Sequence, residues 1–117
     1  MNYFKMEEFA CPCCNENNIS MELVELLDQA RGIAEVPFKI NSGFRCEKHN
    51  EAVGGSSRSL HKRGRAADIH VGDSIARYKI LGALFKVGMP RVLIYKTFIH
   101  ADIADEDVSK ETCLWMA

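Results

Sequence analysis

Ser59-Leu60-His61-Lys62-Arg63-Gly64-Arg65-Ala66-Ala67-Asp68 is the most informative stretch of the chain. Its first half is polar and ends at Gly64, which lets the backbone fold back without a side-chain clash. Its second half opens an apolar run, Ala66-Ala67-Asp68-Ile69-His70-Val71, that suits a buried strand. Two metal-ligand side chains, His61 and Asp68, therefore stand at opposite ends of one turn. Downstream, Asp73 or Ser74 can cap a helix with Ile75, Tyr78, Leu81, Leu84 and Phe85 on its inner side, ending at Gly88. Arg91 to Tyr95 and Phe98 to Ile103 then read as two strands, close enough to pair as a hairpin. Upstream, Gly54-Gly55-Ser56-Ser57 is a flexible stretch, preceded by a short helix around Glu47 to Ala52 and a turn at Ser42-Gly43-Phe44-Arg45. Pro37 opens a short strand over Phe38-Lys39-Ile40-Asn41. Ser20 can cap a helix whose apolar positions are Leu23, Leu26, Leu27, Ala30 and Ile33, ending near Gly32 to Glu35. Met1 to Asn18 reads as irregular. The order of elements predicts an α+β fold, a mostly antiparallel sheet with flanking helices.

A chain of 117 residues matches one domain, expected to span 1–117, with 47% hydrophobic and 26% charged residues as in ordinary globular proteins. The formal charge is -1, so no global basic field points to nucleic acid. Arg58, Lys62, Arg63 and Arg65 form a local basic cluster that suits either solvent or an anionic substrate. No apolar run reaches the roughly 20 residues of a membrane span. The start, MNYFKMEEFACPCC, has no signal-peptide pattern, so the expectation is a cytoplasmic protein as synthesised, and a monomer.

His100, within Ile99-His100-Ala101-Asp102, can join Asp68 if the two strands are neighbours. Two imidazoles and one carboxylate leave a fourth tetrahedral position open to water, the pattern of catalytic rather than structural zinc. Spacing alone does not separate His61 and His100 from His49 and His70.

A family resemblance makes the separation. Ser42-Gly43-Phe44-Arg45, Asn50, Val53-Gly54-Gly55, Ser59-x-His61-x-x-Gly64-x-Ala66-x-Asp68 and His100-x-Asp102 stand in the order found in the M15 zinc peptidases. The sequence from about Phe9 to Trp115 resembles that family, and within it the small, phage-associated branch. The resemblance implies a Hedgehog/DD-peptidase-like fold, zinc held by His61, Asp68 and His100, and a D-Ala-D-Ala carboxypeptidase or murein endopeptidase activity. It implies that Arg45 binds or polarises the substrate carbonyl, against the simpler reading of a salt bridge that pins the turn. It also implies that Ser59 binds substrate, where a loop cap is the alternative.

The general base departs from many members of the family, which carry a Glu, Asp or His three residues before the last ligand, or a His two residues before it. Those positions here are Thr97 and Phe98. Asp102 follows His100 by two residues, and strand alternation puts both on one face, so Asp102 is the candidate base. Its other reading is a partner that orients His100.

Of the five cysteines, Cys11 and Cys14 form a CxxC pair, but Cys46 and Cys113 are isolated along the chain. A structural metal at Cys11 and Cys14 would need a second pair, so free thiols are the simpler reading, although Cys46 can approach the N-terminal segment. The expected function is a zinc peptidase acting on peptidoglycan peptide, released to the wall by phage lysis or another route. The alternative is a zinc-binding module of the same fold that binds wall peptide without cutting it.

Overall fold

A computed structural model describes residues 2–56, 59–103 and, for the backbone, 113–116. After a 3-10 turn at Met6–Phe9 come helix α1 (Met21–Ala34), strand β1 (Ile40–Ser42), helix α2 (Glu47–Ala52) and strand β2 (Ala66–His70). Helix α3 (Ser74–Lys86) and strands β3 (Arg91–Ile94), β4 (Phe98–Asp102) and β5 (Cys113–Met116) complete the order. The sheet runs β1-β2-β4-β3-β5. Its first four strands are antiparallel, and β5 adds a parallel edge beside β3. This is the expected α+β arrangement, with the hairpin of β3 and β4 in place.

Strand alternation sorts the sheet into two faces. Ala67, Ile69, Val92, Ile99 and Ala101 face the core, where they meet Leu23, Val24 and Leu27 of α1 and Ile80, Ala83 and Leu84 of α3. The opposite face carries Asp68, His100 and Asp102. Register fixes their spacing, because Asp68 lies directly across from His100, Ser42 from Asp68, and Arg91 from Asp102. Side chains directly opposite in an antiparallel pair have Cβ atoms about 5 Å apart, close enough to share one small ligand.

The N-terminal segment is tied to α1 and to the core. Asp28 is buried on α1 and accepts the backbone N–H groups of Asn2, Tyr3 and Phe4 at 2.9, 2.8 and 3.2 Å. Phe4 packs into the core against Phe9 with the rings tilted, and edge-on against Phe38. Phe9 then lies against the turn before α2, where a Cβ on Gly43 would come within 2.6 Å of the Phe9 carbonyl oxygen.

Several sequence readings need correction. Ile75, Tyr78 and Phe85 are exposed (70%, 79% and 51%), because α3 rests on Ile80, Ala83 and Leu84 instead. Apolar residues run round this helix, and the small Ala83 marks the side that meets neighbours. Ile33 is likewise exposed, and Val24 takes its place in the core. Strand β1 starts at Ile40, since Phe38 leaves the ladder to fill the core. Ser20 occupies the cap position of α1 without a side-chain cap bond, its own N–H reaching the Gly64 carbonyl at 2.7 Å. Asp73 does cap α3, accepting from the Ala76 N–H at 2.7 Å. Arg58 and Ser57 lie outside the described residues, and no side-chain statement covers Cys113 or Trp115.

Candidate metal centre

The loop before β2 brings His61 over the sheet. Gly64 makes this path available with φ +69°, and a Cβ there would strike the Asn18 carbonyl. His61 is 4% exposed, its carbonyl accepts from the Arg45 N–H at 3.0 Å, and its N–H reaches Ser59 Oγ at 3.2 Å. Ser59 therefore serves as the local cap of this loop while also lining the cleft.

The imidazole protons are fixed by their partners. His61 Nδ1 is 2.8 Å from the Gly43 carbonyl, which can only accept, so Nδ1 carries the proton and Nε2 offers a lone pair. That Nε2 is 3.3 Å from Asp68 Oδ1. His100 Nε2 is 2.7 Å from Asp102 Oδ2, which places its proton on Nε2 and turns Nδ1 toward Asp68 Oδ1 at 3.0 Å. Three lone-pair donors thus converge, and the ligand atoms all lie within 4.8 Å of one another. Lone pairs facing each other this closely repel unless a cation lies between them, so the donor set fits a divalent metal. A proton is the other cation that can serve. Burial opposes charge on the His100 ring, but bonds to Asp102 and Asp68 outweigh it and raise its pKa. Burial likewise pushes the Asp68 carboxyl up, and the His100 and His61 contacts reverse this, holding it well below the usual carboxylate range.

Arg45 forms the wall next to Asp68. Its Nε donates to Ser42 Oγ at 2.9 Å, Nη1 to Asn50 Oδ1 at 3.3 Å, and Nη2 lies 3.5 Å from Asp68 Oδ2. Asp68 thus directs Oδ1 at the two histidines and Oδ2 at the guanidinium. Tyr95 and Phe98, with rings stacked at 4.5 Å, line the other side of the open cleft with Leu93 and Arg91. Asp102 shares the strand face of His100 as alternation predicts, but it is wholly buried, with Oδ2 3.4 Å from Arg91 Nε. It sits across the His100 ring from Asp68. Among the described residues, Asp68 is the one carboxylate lining the cleft.

The remaining histidines stay apart from this centre: His70 is exposed and His49 sits on α2. From the basic cluster, Lys62 pairs with Glu47 at 3.6 Å, Arg65 donates to the Ile103 carbonyl at 2.8 Å, and Arg63 lines the cleft. Sequence reasoning missed Arg91, and it missed Ser42 and Asn50 as the partners that aim Arg45. The signal for Asn50 was its place in the motif.

An antiparallel sheet thus carries, in an open cleft, a His/Asp/His donor set that could hold a metal ion. The chain matches the family described as Peptidase M15 over residues 2–102, and it belongs to that family. M15 peptidases depend on zinc. No curated protein matches the chain. Among the described residues, no helix is long and apolar enough to cross a membrane.

Proposed function

We propose that the chain is a zinc peptidase that hydrolyses peptide bonds of bacterial peptidoglycan. The observation that carries this reading is the convergence of His61 Nε2, Asp68 Oδ1 and His100 Nδ1 at one point of an open cleft. Zinc held by these three side chains would polarise a substrate carbonyl and bring the pKa of a bound water near 7. The chain's own residues supply the rest. Arg45, held by Ser42 and Asn50, offers a guanidinium to the oxygen that gains charge when the amide is attacked. Ser59 and Tyr95 offer hydroxyls along the cleft to orient the peptide.

Asp102 keeps the His100 proton on Nε2 and so keeps Nδ1 free for metal. Its burial supports this positioning role over that of a base in contact with water. The same burial favours the second reading, a module that holds zinc and wall peptide without cutting. The substrate class and the phage-associated setting follow from the motif order rather than from the cleft itself.

The test is a digest of purified peptidoglycan by the zinc-loaded protein, resolved by mass spectrometry. New amines at one defined stem or cross-link bond, abolished by a chelator, support the peptidase. Binding to the wall with no new amines across several wall chemistries supports the second reading instead.

A further inference from the structure

The chain folds four cysteines into one cluster that the His/Asp/His centre does not use. Cys11, Cys13, Cys14 and Cys46 have their sulfur atoms all within 4.8 Å of one another. Cys11 Sγ is 3.5 Å from Cys13 Sγ and 3.6 Å from Cys46 Sγ, and Cys13 Sγ is 3.3 Å from Cys46 Sγ. A tetrahedral site with Zn–S bonds of about 2.3 Å has S···S edges of about 3.8 Å, so the Cys11, Cys13 and Cys46 sulfurs form one slightly contracted face of such a site, with Cys14 Sγ within 4.8 Å of each.

The backbone around the cluster is built to match. Asn15 donates its N–H to the Cys11 carbonyl at 2.8 Å and takes φ 60°, which closes Cys11-Pro12-Cys13-Cys14 into a tight turn with its sulfurs on one side. The Cys46 N–H points at Cys11 Sγ (3.5 Å) and the His49 N–H at Cys46 Sγ (3.4 Å). N–H donors aimed at sulfur favour the charged thiolate that a metal requires.

We propose that Cys11, Cys13, Cys14 and Cys46 form a structural site for a thiophilic divalent ion, zinc being the fitting one, separate from the cleft. Four protein ligands close the coordination shell, so the site takes no water and does no chemistry. Binding releases the thiol protons to solvent. Its consequence is mechanical. Cys46 follows Arg45 directly, so the ion staples the N-terminal segment to the turn that carries the cleft guanidinium.

The full chain, purified under reducing conditions, is analysed for bound metal and then reloaded with cobalt. The wild type is expected to hold two zinc ions, one for each donor cluster. The double variant His61→Ala/His100→Ala, with every cysteine intact, is expected to keep one, with intense thiolate-to-cobalt charge-transfer absorption. A mercurial thiol reagent added to the wild type should release one zinc ion, a readout that needs no cysteine variant to fold. Cys13→Ser combined with Cys46→Ser should lose that ion and the charge-transfer band while keeping the ion of the cleft. The proposal is overturned if the double histidine variant binds no metal, if the mercurial releases none, or if mass analysis of alkylated protein, taken as isolated from cells without added reductant, finds these cysteines joined in a disulfide. None of these results depends on peptidase activity, so failure here and failure of the peptidase reading are distinguishable.

Discussion

Replacing Asp102 with Asn separates the two roles open to this carboxylate. In the wild type its Oδ2 accepts the Nε2 proton of His100 at 2.7 Å and faces Arg91 at 3.4 Å, while the group is fully buried. An amide can still accept through its oxygen, but the bond is then uncharged and Arg91 loses its counter-charge. Losing a partner that orients a metal-bound histidine costs about 10–100-fold in metal affinity, or about 1.4–2.7 kcal/mol. Removing a general base costs about 10²–10⁴ in rate with metal affinity unchanged. The positioning role therefore predicts weaker zinc binding by about 10–100-fold, read by competition with a chromophoric chelator. It also predicts that peptide hydrolysis returns to within about tenfold of wild type once zinc saturates the site. Unchanged zinc affinity together with a thousandfold slower hydrolysis under saturating zinc would refute the reasoning and restore Asp102 as the base.

Three further perturbations have defined outcomes. Arg45→Lys keeps a charge beside Asp68 but loses the fork bonded to Ser42 and Asn50; hydrolysis should fall by about 10²–10³ with zinc retained, as measured by amine release and metal content. Gly64→Ala forces a side chain into the left-handed region and against the Asn18 carbonyl, and should destabilise the fold by about 3 kcal/mol or more in urea denaturation. Asp28 is desolvated by burial, which raises its pKa, but the three N–H groups of Asn2, Tyr3 and Phe4 outweigh this and hold it below the ordinary carboxylate value of 3.8. The unfolded chain then binds more protons in that acidic window, so the contribution of Asp28 is full above pH 3.8 and is lost as pH falls through its lowered folded value. Asp28→Asn should cost about 1.5–3 kcal/mol at neutral pH and flatten the acid limb of the stability curve.

The parts legible in the sequence are those in which local pattern and spatial neighbour coincide. Helical spacing of apolar residues gave α1 and the extent of α3, and short apolar runs gave β2, β3 and β4. The His61 to Asp68 turn reads locally because Gly64 marks its hinge. His100 was legible through the family resemblance alone, and the structure supplies the reason, since its strand pairs with β2 and sets it opposite Asp68. What escaped depends on contacts distant along the chain. The inner face of α3 is chosen by Ala83 and Ile80 against neighbouring elements, which a helix apolar on several sides does not declare. β5 pairs parallel with β3 across an intervening segment, and nothing in its own residues states that partner. Cys46 is 35 residues from Cys11 and joins the thiol cluster where the turn at Gly43 and Phe44 meets Phe9. The burial of Asp102 is likewise a product of tertiary packing, since alternation sets the face of a side chain and not its access to water.

The most direct test of the account is zinc add-back to chelator-stripped protein, with amine release from peptidoglycan peptides as the signal. The account predicts that release stops on stripping, returns with stoichiometric zinc, and does not return in His100→Ala at any zinc concentration that leaves the wild type saturated. Release that survives stripping, or that His100→Ala recovers in full, would contradict it.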